Sequence, residues 1–286
     1  MAEARPNHPE VIHGIEALRP DHGRLFVVIG VFDGLHLGHL YLLRHLQVEA
    51  RARGARSAVI TFDHHPDEIL VGTAPPLLCD PDERLELLAD AGVEVTVVQT
   101  FDAALRMTGY DAFVQRIADR VDLAGFLMTP DAAFGYERRG TVETVRALGR
   151  QRHYEVVVVP ALELGGRQVR SSDIRAAIGE GDLGSAATML GRPYAVTGQI
   201  GSTPGARVVL RFPMPVALPP AGEYPVDIRF GPGDAARARG MVVIRVDGTV
   251  EVLSPGVAAL TVDGRPDRLR VTFSPVPDAP HATSRA

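Results

Sequence analysis

The sequence contains no lysine; all 30 of its basic residues are arginine. That absence excludes Schiff-base chemistry, the lysine of a P-loop and a catalytic lysine of any kind. A phosphate clamp in this chain must use arginine, histidine, hydroxyl groups or backbone N–H. Asparagine is nearly absent too. Asn7 is the only one, in the expected N-terminal tail, so a mechanism needing an asparagine in a folded site is all but excluded. Cys79 is the only cysteine, which rules out an internal disulfide and a multi-cysteine zinc site and fits a reducing cytoplasm. No apolar run is long enough to span a bilayer. The opening Met1-Ala2-Glu3-Ala4-Arg5-Pro6 lacks the basic-then-apolar order of a secretory signal. A net charge of −5 gives no electrostatic case for a nucleic-acid or membrane partner. A cytoplasmic protein is expected.

What is present reads as two domains behind a tail. Residues 1–23 are expected to be tail and lead-in. From residue 24 to 192 strand and helix patterns alternate, which argues a doubly wound α/β parallel sheet. Strands are expected at Leu25–Ile29, Ser57–Phe62, Val93–Val98, Phe126–Met128 and Tyr154–Pro160. The last is a continuous apolar run of the kind a central parallel strand shows. Helices are expected over Asp82–Ala91, over Thr141–Arg150, and after Thr108, whose spacing to Asp111 reads as a cap. After Arg192-Pro193 helical periodicity stops and short β runs follow, from Tyr194–Ile200 to Leu269–Phe273. Residues 193–275 therefore read as a small antiparallel β-barrel or sandwich, and 276–286 as a C-terminal tail.

Chemistry concentrates in one decade, Gly30-Val31-Phe32-Asp33-Gly34-Leu35-His36-Leu37-Gly38-His39. It follows the first strand and leads into Leu40, Leu43, Leu46 and Ala50, which share one face of a helix. A turn at the carboxyl end of a parallel strand is where ligands bind. A helix N-terminus favours an anion, and two imidazoles there add movable protons. The decade resembles the signature of the HxGH nucleotidyltransferases. Its longer form, G-x-F-D-G-x-H-x-G-H, is similar to that of the bacterial FAD synthetases.

Further segments extend the resemblance. Thr61-Phe62-Asp63-His64-His65-Pro66 is similar to the family's T-F-E-P-H-P. Asp131-Ala132-Ala133-Phe134-Gly135 with Arg138 and Gly140 resembles its G-x-D-[FY]-x-F-G-x-x-R-x-G loop, with Thr129 in place of a glycine and Ala132 in place of an aromatic. Val169-Arg170-Ser171-Ser172-Asp173-Ile174-Arg175 is similar to I-S-S-T-x-I-R. The two serines also fit a plain helix cap.

The resemblance implies an adenylyltransferase moving AMP from ATP to the phosphate of FMN, giving FAD and pyrophosphate. His36, His39, Ser172 and Arg175 would be catalytic. Gly30, Phe32, Asp33, Gly34, Gly38, Phe134, Gly135, Arg138 and Ser171 would bind the nucleotide, Asp33 by anchoring the turn. Phe62, His65, Pro66 and Asp131 would bind the flavin acceptor. Magnesium would arrive with ATP, held by phosphate oxygens and water rather than by a protein metal site. Two alternatives stand beside this: a paralogue acting on another phosphate monoester, and a non-catalytic flavin or nucleotide binder.

In the bifunctional members of the family the second domain is a riboflavin kinase carrying G-F-P-T-A-N. The corresponding stretch here is Arg211-Phe212-Pro213-Met214-Pro215-Val216. Methionine stands for the threonine and valine for the asparagine. Glu251 is the nearest candidate for the catalytic glutamate. The expectation is a riboflavin-kinase-like barrel without kinase activity.

Overall fold

A computed structural model describes residues 9–201, 207–230, 236–255 and 268–274. The expected C-terminal tail and Asn7 lie outside these residues. The first element is β1 (Glu10–His13). Then come β2 (Arg24–Ile29), α1 (Leu37–Ala52), β3 (Arg56–Phe62), α2 (Pro66–Leu70), α3 (Pro81–Asp90), β4 (Val95–Gln99), α4 (Ala103–Arg106), α5 (Tyr110–Ala118) and β5 (Asp122–Met128). Two short strands, β6 (Ala133–Phe134) and β7 (Gly140–Thr141), precede α6 (Val142–Arg152) and β8 (Glu155–Val158).

Six of these strands form one parallel sheet in the order β1-β4-β3-β2-β5-β8. Successive side chains of a strand point to opposite faces, and the buried residues divide accordingly. Val27, Ala58, Ile60 and Val97 pack with Phe113, Val114 and Ile117 of α5. Val28, Val59 and Leu127 pack on the other face with Leu43, Leu46 and Ala50 of α1. Helices on both faces are the reason the inner strands are almost wholly apolar. The chain runs outward from β2 through β3 to β4, then returns to place β5 on the far side of β2. That reversal puts the topological switch point between β2 and β5.

Three local expectations are corrected. Tyr154–Pro160 is not a central strand: β8 spans Glu155–Val158 at the sheet edge, paired with β5 alone. Its valines are only half-buried, and its first residue, Glu155, is exposed and held by Arg53. Thr108 does not cap α5. Gly109 occupies the cap position, and the Thr108 hydroxyl donates instead to the Ala104 carbonyl at 2.9 Å. Residues 10–13, inside the expected lead-in, form the other edge strand. Four residues, Glu10-Val11-Ile12-His13, are too few to show a period.

The second part holds β9 (Glu163–Leu164), β10 (Arg167–Gln168), α7 (Ser171–Gly179), α8 (Leu183–Leu190), β11 (Ala195–Ile200), β12 (Arg207–Arg211), β13 (Gly222–Phe230), β14 (Ala236–Ile244), β15 (Val250–Leu253) and β16 (Arg268–Phe273). The last six close into an antiparallel barrel, β11-β12-β15-β14-β13-β16. Val226, Ile228 and Phe230 point inward while alternate residues of β13 face out, the period of a half-buried strand.

The chain divides into two compact units, Met1–Pro75 with Pro81–Val169, and Pro76–Asp80 with Arg170–Ala286. The division falls ahead of the change in composition at Arg192-Pro193, so α7 and α8 group with the barrel. The short insert Pro76–Asp80 is stitched to the second unit. The Leu77 N–H donates to the Pro215 carbonyl at 2.8 Å, and the Ala217 N–H donates to the Leu77 carbonyl at 2.9 Å. Cys79 is buried in this insert. Among the described residues no helix is long and apolar enough to cross a membrane.

Candidate active site

The glycine-rich decade forms a strained turn at the carboxyl end of β2. Phe32 has φ +53°, Gly34 +74° and Leu35 +34°. Left-handed backbone at a bulky residue costs energy that the surroundings must hold in place, and such strain collects at functional sites. Here two buried ties hold it. The Val31 carbonyl accepts from Thr61 Oγ1 at 3.0 Å and from Arg84 Nη1 at 3.2 Å, while Arg84 Nη2 donates to the Phe62 carbonyl at 2.7 Å. Arg84 carries no motif, and the sequence reading passed over it. Its one signal is its place four residues before Leu88, on the buried face of α3.

His36 is the N-cap of α1, and its Nδ1 accepts from the His39 N–H at 3.3 Å. An Nδ1 that accepts is unprotonated, so the proton of the neutral ring sits on Nε2. The ring of His39 stacks on that of His36, with centroids 3.7 Å apart and planes at 18°. Burial, and secondarily the neighbouring His36, hold the pKa of His39 well below the usual imidazole value. Its Nδ1 is buried and has no hydrogen-bond partner. An orphaned buried polar atom calls for an explanation, and a ligand group is a direct one. Gly38 is required between the two rings. A Cβ there would lie 3.1 Å from the His36 ring and 3.2 Å from the Val169 carbonyl.

Beside this turn lies a cavity of about 610 Å³. Its walls come from the carboxyl ends of the strands: Ile29 of β2, Phe62 of β3 and Met128 of β5. It therefore opens at the switch point, where α/β sheets bind ligands. Of the residues assigned from sequence, Gly30, Phe62, Pro66, Phe134, Gly135 and Arg138 meet on its wall. The Phe134 ring lies 5.7 Å from that of Phe113 and 6.0 Å from that of Phe126. Gly135 has φ +75°, and a Cβ on it would fall 2.5 Å from the Tyr110 backbone nitrogen. The next two residues but one, Glu137 and Arg138, are left-handed at φ +53° and +56°, so this loop is strained as well. Ala132, where the resemblance implies an aromatic, also lines the cavity.

Other assigned residues are engaged elsewhere. His65 caps α2, its Nδ1 accepting from the Asp67 N–H at 3.2 Å. Asp131 accepts from Thr129 Oγ1 at 2.8 Å. Asp33 is buried. Ser171, Ser172 and Arg175 lie on α7, in the second unit. The N-cap of that helix is Arg170, whose side chain makes no capping bond, and the two serines are its first two residues. Ser172 is exposed. Arg175 Nε donates to the Pro76 carbonyl at 2.7 Å within the same unit. Wall residues that sequence reading missed, such as Phe101, Leu105 and Phe113, are apolar and carry no chemical signature. Only their places at strand ends or on the inner face of α5 mark them.

Glu251, the nearest candidate for a kinase carboxylate, is held by arginines. Its Oε2 accepts from Arg245 at 2.8 Å and from Arg207 at 3.5 Å. The bond from Arg245 lowers its pKa. Among the described residues no group of three or more His, Cys, Asp or Glu is placed to hold a metal ion.

Comparison with known proteins bears on this arrangement. The sequence profile of the FAD synthetase family matches residues 18–173. A bifunctional riboflavin kinase/FMN adenylyltransferase of Pseudomonas fluorescens is 28% identical over 192 residues, 67% of this chain and 62% of the relative. The protein of the same description from Haemophilus influenzae is 30% identical over 176 residues, 61% of this chain and 57% of the relative. The match thus spans less than two thirds of the length of these relatives. The crystal structure of a macrolide-efflux protein from Streptococcus pneumoniae superposes with a TM-score of 0.75 at 22% identity, covering 95% of this chain and 92% of that one. That likeness shows the shared fold.

Proposed function

We propose, from the premise that the chain belongs to the FAD synthetase family, that it transfers AMP from ATP to the phosphate of FMN in the cytoplasm. An oxygen of the FMN phosphate forms a bond to the α-phosphorus of ATP. The bond from that phosphorus to the bridging oxygen breaks, and pyrophosphate leaves. Positioning and charge stabilisation supply most of the acceleration in phosphoryl-type transfer.

One observation carries the reading: two stacked imidazoles, His39 held neutral, at the mouth of α1 beside an aromatic-walled cavity. A neutral imidazole still donates one N–H. His36 offers Nε2–H, and His39 meets the transferring phosphate as negative charge builds. Free N–H groups at the start of α1 add to this field. Gly30, Gly34, Phe134, Gly135 and Arg138 hold the nucleotide, with Phe32, Asp33 and Gly38 shaping the turn. Ser171, Ser172 and Arg175 take the β- and γ-phosphates, an assignment that rests on the likeness of their segment to the family's. Phe62 and Pro66 contact the flavin, framed by His65 and Asp131. Magnesium supplies charge neutralisation when it arrives with ATP. It would be held mostly by water and nucleotide oxygens. The barrel has no kinase role, because Met214 and Val216 cannot bind phosphate or a metal ion.

A second reading, a different phosphate monoester as acceptor, draws on Ala132 and its place on the cavity wall. Pyrophosphate release tests both. The purified chain is given ATP and magnesium with FMN, with riboflavin, or with other phosphate monoesters. Release with FMN alone is expected. Release only with another monoester would keep the donor chemistry and remove the flavin; no release and no ATP binding would remove both.

A further inference from the structure

Arg106 lines the cavity yet belongs to none of the family-like segments. It ends α4, and its Nη1 donates to the Ile69 carbonyl at 3.1 Å. That bond fixes the guanidinium beside Leu70, another wall residue. Among the described residues no carboxylate pairs with it, and no second hydrogen bond engages it. Of the other polar groups on the wall, the Tyr136 hydroxyl and Arg138 belong to the loop between β6 and β7, on the β5 side of the cavity. Glu137 is paired with Arg139, Arg138 donates to the Asp131 carbonyl at 3.4 Å, and Thr108 gives its proton to Ala104.

We infer that Arg106 determines acceptor specificity by donating to the C2 carbonyl of the flavin ring, so that the cavity selects a ring with a polar edge over an apolar aromatic phosphate ester. The inference rests on the proposed transfer to FMN. Its physical basis is solvation. Phe62, Phe101 and Phe113 would strip water from a buried ring, and a carbonyl stripped of water needs a donor. Position separates the ring from the phosphate. The phosphate-handling turn follows β2, and Arg106 follows β4, two strands away, about 10 Å at ordinary strand spacing. Arg106 therefore faces the ring end. At Ala132 the family's aromatic face is lost, and a directional bond replaces stacking as the source of selectivity. Nη1 is already anchored, so less rotamer freedom remains to be lost when the rest of the fork binds.

Flavin fluorescence titration of the full chain tests this, with riboflavin and FMN as separate probes. In Arg106→Ala both dissociation constants should rise about tenfold, as expected for one charged hydrogen bond, and Arg106→Lys should recover part of the loss. KM for FMN should rise with kcat unchanged, and ATP affinity should hold. With 2-thioriboflavin, whose sulfur is a poorer acceptor, the gap between wild type and Arg106→Ala should shrink. A gap that persists with the thio analogue would mean that Arg106 acts only by bracing α2, and the inference falls. Loss of FMN affinity with riboflavin affinity intact would assign Arg106 to the phosphate, which also overturns it, as would no change for either flavin. A wild-type chain that binds neither flavin would overturn the function itself.

Discussion

His39 couples the site to pH. Its pKa is depressed in the folded chain relative to the ordinary 6.5, through burial first and His36 second. The unfolded chain therefore takes up a proton below about pH 6.5 that the folded chain refuses until the pH is lower still. Stability supplied by this group is complete above that pH and declines as pH falls through it. The melting temperature of the wild type should drop more steeply between about pH 7 and about pH 5 than that of His39→Gln. Equal slopes would show that His39 titrates normally. For activity, His36→Ala and His39→Ala should each reduce AMP transfer by about 10²–10³-fold, the usual worth of a donor aimed at developing charge, with the far-ultraviolet spectrum unchanged. Wild-type turnover in either variant would remove these residues from the mechanism.

Among the elements, the turn after β2 and the loop between β6 and β7 are built alike: left-handed residues held against a neighbour with no spare room. Gly135 shows the cost. An added Cβ meets the Tyr110 backbone at 2.5 Å, at a φ that disfavours side chains. Gly135→Ala should lower the urea-unfolding free energy by about 2 kcal/mol or more and weaken ATP binding with it. Unchanged stability would mean that the loop can move away from α5. Ala132→Phe, by contrast, should tighten FMN, since a stacked ring pair is worth about 0.5–1.5 kcal/mol beyond buried area; a raised KM would show that the space is already filled.

These elements also mark how far the sequence could be read. The inner strands, α1 and the barrel strands announce themselves by apolar period. So does the decade Gly30–His39, because glycines and histidines at fixed spacing have few other uses. The edge position of β8 was not legible, since four valines read the same whether two neighbours flank them or one. Arg84 and Arg106 were not legible either. An arginine shows its role only when its partners, here the Val31, Phe62 and Ile69 carbonyls, are brought to it by the fold.

The whole molecule holds two units of unlike architecture. The parallel sheet brings a switch-point cavity, a strained turn and two stacked imidazoles together. The barrel is closed and its interior apolar, and Met214 and Val216 stand where the resemblance implies a threonine and an asparagine. The residues flanking Val216, Pro215 and Ala217, are hydrogen-bonded through their backbones to Leu77. No conversion of riboflavin to FMN is therefore expected from the purified chain. Conversion that disappears on substituting Glu251 would restore the kinase to this barrel. The most direct test of the account uses ATP labelled at the α-phosphate or at the γ-phosphate, each incubated with FMN or riboflavin and separated by chromatography. The account predicts α-label in FAD when FMN is supplied, and γ-label in pyrophosphate but in no flavin. Label from the γ-phosphate in FMN, or no α-label in any flavin, would contradict it.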